Sequence, residues 1–178
     1  MNDSAIYKKN IEILKKRSNL FAEKIEKVNL PENYTVIQTN SGDLTVNIKK
    51  EEGKELLLHS KYDPFKEANR IFDSFEKKPQ ILIIGGFGLG YVAQTAIKRC
   101  PDSKIFVIER DISFFKLALS LRDLSDVLTN KDVEFFITDM GEEIIPILQD
   151  LKTKNITISI HRPSNELYPE TYKNIAKL

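Results

Sequence analysis

The chain has 178 residues, 41% apolar and 30% charged, which suits one buried core and excludes a disordered, collagen-like or disulfide-scaffolded polypeptide. Lys and Arg number 27 against 26 Asp and Glu, a formal charge of +1. That balance excludes a nucleic-acid binder that draws its affinity from counterion release.

In chain order, Ile6, Ile13 and Leu20, joined by Leu14, Phe21, Ile25 and Val28, form an apolar stripe at helical spacing. One helix over residues 6–28 is predicted, capped by Asp3 or Ser4. Leu30-Pro31-Glu32-Asn33 breaks it. The β-branched run Tyr34–Thr39, the turn Asn40-Ser41-Gly42-Asp43 and the alternating run Leu44–Lys50 read as a hairpin, and Glu52-Gly53 turns into a third strand at Glu55–His59. Asp63 caps a helix opened by Pro64, with Ala68, Ile71, Phe72 and Phe75 on its buried face. Short apolar strands then alternate with helices. The strands are Gln80–Ile84, Lys104–Ile108, Val133–Ile137 and Ile156–Ile160, and the helices are Gly90–Arg99, Ile112–Leu121 and Glu142–Lys152. A last helix runs from Pro169 to Leu178. This alternation predicts a doubly wound α/β fold, a parallel sheet of order third-second-first-fourth covered on both faces. Residues 1–60 form a helix and β-meander region ahead of a Rossmann-like domain at residues 61–178.

The most informative segment is Ile81-Leu82-Ile83-Ile84-Gly85-Gly86-Phe87-Gly88-Leu89-Gly90. It leaves a buried strand and opens a helix, where glycine permits a tight turn and close approach of a ligand to the backbone. Gly86, Gly88 and Gly90 are candidate cofactor-binding residues. The dinucleotide fingerprint fails, because Tyr91 stands where its third glycine belongs. Glu109 ends the second strand about 20 positions beyond the glycines, where an acidic side chain accepts ribose hydroxyls. Asp139, after the third strand, is placed to meet the amine of an adenine. The plainer alternatives are a ligand-free glycine corner, a solvated strand end at Glu109 and a helix cap at Asp139.

The glycine loop, Glu109 and Asp139 resemble the nucleoside-binding motifs of S-adenosylmethionine-dependent methyltransferases. The spermidine synthase branch is nearest, with Ile-Ile-Gly-Gly before its loop and an antiparallel region upstream. That resemblance implies S-adenosylmethionine, its decarboxylated form or another nucleotide as cofactor. Where those synthases carry a catalytic Asp, this chain has His161-Arg162-Pro163, and it lacks their terminal strands.

A second resemblance covers more of the chain. Tyr62-Asp63-Pro64-Phe65-Lys66-Glu67-Ala68 resembles the Y-D-P-x-(R/K)-E-A segment of the motility-associated-factor (Maf) glycosyltransferases, and Gly88-Leu89-Gly90-Tyr91 resembles their G-L-G-Y. Ile108-Glu109-Arg110-Asp111 and His161-Arg162-Pro163 follow in the family's order. This resemblance implies an N-terminal domain of a longer protein that transfers nonulosonic acid sugars to flagellin. The sugar-transfer chemistry would lie in a downstream domain, so no catalytic residue carries over. The expected partners are that domain and flagellin. Ala176-Lys177-Leu178 ends in mid-helix with no capping glycine, so the expectation is a chain cut from a longer polypeptide.

Other residues carry less. Tyr62, Asp63 and Arg70 could meet a ligand phosphate or a neighbouring domain at the mouth of the sheet, although capping by Asp63 and a Glu67–Arg70 pair explain much of the segment. His161, at the end of the fourth strand, could face the same crevice as Gly88, whereas His59 has no supporting pattern. Cys100 is a lone thiol, and two histidines with one cysteine make no structural zinc set. Phe114, Phe115, Leu117, Ala118 and Leu121 read as core. The longest apolar run is far short of a membrane span, and Met1–Ser4 opens no secretory signal. A cytoplasmic protein without membrane or nucleic-acid partners is expected.

Overall fold

The computed structural model describes residues 4–50, 53–139, 145–149 and 155–177. The N-terminal stripe forms two helices rather than one, α1 (Ala5–Arg17) and α2 (Asn19–Lys27). Ser18 makes the break. Its backbone is extended (φ −157°, ψ 99°), its N–H donates to the Leu14 carbonyl, and its hydroxyl accepts from the Phe21 N–H. Serine satisfies a helix start better than a helix interior, and here it ends one helix and caps the next. The break also shifts the buried face. Tyr7, Asn10, Ile11 and Leu14 point inward, while Ile6 and Leu20 of the predicted stripe are 40% and 67% exposed. Ser4 is the cap of α1; the alternative cap Asp3 lies outside the described residues.

Strands β1 (Tyr34–Gln38), β2 (Leu44–Lys49) and β3 (Glu55–Leu57) form the expected antiparallel meander, with Tyr34 opposite Ile48 and Gln38 opposite Leu44. Gly42 turns the hairpin at φ +89°; Glu52 of the second turn lies outside the described residues. In α3 (Pro64–Asp73), Asp63 accepts from the Lys66 N–H and Pro64 sits in the first turn, as predicted.

The central sheet is parallel, with β4 (Ile81–Gly85), β5 (Lys104–Glu109), β6 (Val133–Ile137) and β7 (Ile156–Ile160) in the order β6-β5-β4-β7. This is the predicted doubly wound α/β architecture. The strands alternate with α4 (Tyr91–Arg99), α5 (Ile112–Leu121) and a short α6 (Ser125–Thr129), then α7 (Ile145–Gln149). Other parts of the helix predicted over 142–152 lie outside the described residues. Beyond β7 come α8 (Arg162–Leu167), which the sequence reading did not anticipate, and α9 (Pro169–Ile175).

Leu82, Ile84, Ile105, Val107 and Val133 face one layer, with α4 and α5. Ile81, Ile83, Phe106 and Ile108 face the other, against Tyr172 and Ile175 of α9 and Ile147 of α7. Each such aliphatic side chain taken from water contributes about 1.5–3 kcal/mol. The first layer continues without a gap into Tyr7, Leu14, Ala22 and Ile25. Polar groups lock this junction. The buried Asn10 amide donates to the Leu119 and Arg122 carbonyls and accepts from the Leu124 N–H. The Lys116 ammonium donates to the carbonyls of Glu26 and Val28 at the end of α2, where the helix dipole favours a cation. Arg17 does the same for the carbonyls of Leu128, Asn130 and Val133. Among the described residues, no helix is long and apolar enough to cross a membrane.

Candidate functional site

The glycine loop leaves β4 at the carboxyl end of the sheet. Gly86, Gly88 and Gly90 all have left-handed backbones, at φ +90°, +54° and +83°. What occupies the space that side chains would fill is the chain itself. A Cβ on Gly86 would lie 2.5 Å from Cβ and Oγ of Ser164, and one on Gly88 would lie 2.6 Å from Nε2 of His59 and 3.0 Å from Cε1 of His161. One on Gly90 would meet Leu124 at 2.8 Å and the Phe87 ring at 3.0 Å. Residues from the meander, from the turn after β7 and from α8 thus form the walls of the loop.

Hydrogen bonds fix the state of each wall. His59 Nε2 accepts from the Leu89 N–H at 2.9 Å, so the proton of the neutral ring sits on Nδ1, 3.6 Å from Oε2 of Glu67. His161 Nε2 faces the Leu58 carbonyl at 2.9 Å and must donate to it. Its Nδ1 therefore accepts from the Ser164 hydroxyl at 2.8 Å. The two imidazoles pack against each other with centroids 4.7 Å apart and planes tilted by 35°. Burial holds the His59 pKa below the ordinary histidine value, against the pull of Glu67. Burial, and then His59 itself, hold His161 well below it.

Tyr91, the residue that spoils the dinucleotide fingerprint, ties the loop to the hairpin. Its hydroxyl donates to the Leu44 carbonyl at 2.6 Å and accepts from the Leu44 N–H at 3.2 Å. The Arg122 guanidinium lies 3.5 Å from the Tyr91 ring centroid and donates to the Leu89 carbonyl and to Oε1 of Gln94.

Glu109 reaches the loop, but its oxygens already have donors. Oε2 accepts from the Phe87 N–H at 2.8 Å; Oε1 accepts from the Asp111 N–H at 3.0 Å and the Tyr172 hydroxyl at 3.2 Å. The side chain lies in a residue only 2% exposed, and burial raises its pKa against these donors. Tyr168, one helical turn before Tyr172, donates to Asp111 at 2.7 Å. Asp139 is not part of this cluster. Its carboxylate is 78% exposed and pairs with Arg110 at 2.7 Å.

Tyr62, Asp63 and Arg70 line a surface cavity of about 240 Å³ with Ser60, Lys66 and Glu67. Glu67 accepts from the Ser60 N–H and is the link from this cavity to His59. The segments 62–70, 88–91 and 161–163 thereby converge on one buried histidine pair. Chemically the cluster is a lock. Ser164 and His161 form a hydroxyl–imidazole pair, yet the far nitrogen of His161 meets a carbonyl and not the carboxylate that orients the base of a catalytic triad. Sequence reasoning gave no role to His59, Ser164, Arg122 or Tyr172. The one available signal for the histidines was that both stand at strand ends in a chain that has only two.

No family model matches the chain. An uncharacterized protein of Treponema pallidum (strain Nichols) is 27% identical over 143 residues, covering 78% of this chain and 47% of that protein. The structure of a MAf glycosyltransferase from Magnetospirillum magneticum AMB-1 matches with a TM-score of 0.66 at 14% identity, over 97% of this chain and 34% of that one. The chain has the fold of part of a Maf glycosyltransferase. It spans about half the length of the Treponema protein and a third of the enzyme.

Proposed function

We propose that this chain is a Rossmann-like module of a Maf-type glycosyltransferase that transfers nonulosonic acid sugars to flagellin, and that it serves there as a scaffold and not as the catalytic centre. What carries the reading is the match of nearly the whole chain to about a third of a MAf glycosyltransferase. The filled glycine loop supports the non-catalytic part. Its backbone and its acidic neighbour Glu109 are engaged by His59, His161, Ser164 and Tyr172. On this reading the sugar-transfer chemistry belongs to a downstream domain of a longer cytoplasmic polypeptide, and flagellin is its acceptor.

A second reading, a transferase using S-adenosylmethionine, is favoured by one observation: Glu109 lies against the loop as a ribose-binding carboxylate would. It requires Tyr172 to release Glu109 and the histidines to withdraw from Gly88. Two measurements test the pair. Intact-mass spectrometry of flagellin from a strain with this coding segment deleted in frame should show loss of the sugar mass, and an unchanged flagellin would overturn the first reading. Calorimetric titration of the chain with S-adenosylmethionine should give flat heats. Binding abolished by Glu109→Ala would replace the scaffold with a cofactor site.

A further inference from the structure

The cavity at the start of α3 holds about 240 Å³ and is lined by Ser60, Tyr62, Asp63, Lys66, Glu67 and Arg70. Of these, Glu67 alone also belongs to the histidine lock. The walls come from residues 60–70, and local bonds fix their shape. The N–H groups of Asn40 and Ser41 in the hairpin turn donate to the carbonyls of Lys61 and Tyr62, and Asp63 caps the helix. The cavity therefore owes nothing to any further part of the polypeptide.

Each carboxylate spends one oxygen within the chain. Asp63 Oδ1 accepts from the Lys66 N–H at 2.8 Å; Glu67 Oε2 accepts from the Ser60 N–H at 3.0 Å and faces His59. The other oxygen of each accepts no hydrogen bond among the described residues. Ser60 Oγ accepts from the N–H groups of Tyr62 and Asp63, which leaves its own proton to donate. Lys66 and Arg70 are exposed, one turn apart on one helix face, and have neither a hydrogen bond nor an ion pair among the described residues. Arg70 lies near enough to Glu67 to lower its pKa without pairing with it. Tyr62 is 62% exposed, with the Lys61 ammonium 5.4 Å from its ring centroid.

We propose that this cavity binds a small polyhydroxylated anion, a sugar carrying a carboxylate or a phosphate. Lys66 and Arg70 hold the anionic group through charge-assisted hydrogen bonds. The unspent oxygens of Asp63 and Glu67 accept from hydroxyls, and the Tyr62 ring covers an apolar face of the sugar. A bare anion would sit beside two carboxylates with nothing to offer them, and a neutral sugar would leave both cations unpaired. A ligand with both kinds of group uses every side chain that lines the cavity. The proposal goes beyond the glycosyltransferase reading and does not rest on it.

Amide chemical shifts of the isotope-labelled chain test it, in titrations with glucose 6-phosphate, glucuronate, glucose and inorganic phosphate at matched ionic strength. At least one of the two sugar anions should shift the amides of residues 60–70 saturably, and which one does so tells a phosphate ligand from a carboxylate. Lys66→Gln and Arg70→Gln should each weaken that binding about tenfold or more. Both replace exposed side chains without partners, so the rest of the amide spectrum should stay in place and report that the variants fold. Saturation by neither sugar anion overturns the proposal. So does equal binding of inorganic phosphate, an adventitious ion only, or of glucose, and so does binding that both variants retain.

Discussion

Replacing Gly88 by alanine separates two reasons for a glycine in this loop. The backbone at φ +54° costs an L-residue about 1–2 kcal/mol wherever it occurs. Packing adds to this at Gly88, because the new methyl would lie 2.6 Å from His59 and 3.0 Å from His161. Both rings are buried, packed against each other and hydrogen-bonded at both nitrogens or beside Glu67, so neither withdraws without breaking a bond. Overpacking of this kind costs about 1–3 kcal/mol, which with the backbone part gives a sum of about 2–5 kcal/mol. Gly42 supplies the control. It also has a positive φ, +89°, but nothing lies within 4 Å of the Cβ it would gain, so Gly42→Ala should cost only the backbone part, about 1–2 kcal/mol. Urea denaturation of both variants gives the comparison directly. If Gly88→Ala were no more destabilising than Gly42→Ala, the loop would have room that the histidine pair does not leave, and the account of it as a closed lock would be wrong.

Two further outcomes follow from the same cluster. His59 and His161 both have depressed pKa values in the folded chain, so the unfolded chain takes up protons first as the pH falls. Their contribution to stability is intact above about pH 6.5 and is lost below it, with a slope of up to about 1.4 kcal/mol per pH unit for each. Glu109, whose pKa is raised, runs the opposite way: its contribution is present below about pH 4.3 and falls as the pH rises through the folded value. In a Glu109→Gln background, which removes the opposing titration, urea midpoints should decline toward acid between about pH 6.5 and pH 5.5, and a level profile there would contradict the neutral state assigned to the histidines. Arg122→Lys should cost about 2 kcal/mol, because an ammonium cannot hold the Leu89 carbonyl and Gln94 together while staying over the Tyr91 ring. Amide exchange at Leu89 and Gly90 should quicken with it, and unchanged exchange would remove Arg122 from the lock.

The sheet was legible in the sequence because buried parallel strands are continuous apolar runs, and their order follows from the handedness of the crossovers. The start of α3 was legible too, since Asp63 and Pro64 act locally. The N-terminal helix pair was not. Ser18 looked like one polar residue inside a stripe, and the stripe was counted from apolar residues alone. Buried Asn10, with three long-range partners, therefore fell outside it and the phase came out wrong. The tight turn at the glycine loop was legible, and Gly86, Gly88 and Gly90 take the positive φ values that glycine permits. What fills it could not be read, because His59 meets Leu89 across 30 positions and His161 meets Leu58 across 103. Nothing in local pattern or propensity reports contacts of that span.

Those spans also set an order of events during synthesis. When β4 and its loop leave the ribosome, His59 is already present, but His161, Ser164 and Tyr172 are not. The nascent chain holds an open glycine corner with Glu109 lacking its phenol partner until α8 and α9 emerge. Contacts of such long separation are slow to form. The loop thus stays unlatched from the synthesis of Gly90 until His161 and Tyr172 follow, and a chain arrested before His161 should expose to proteases a loop that is closed once α8 and α9 have folded.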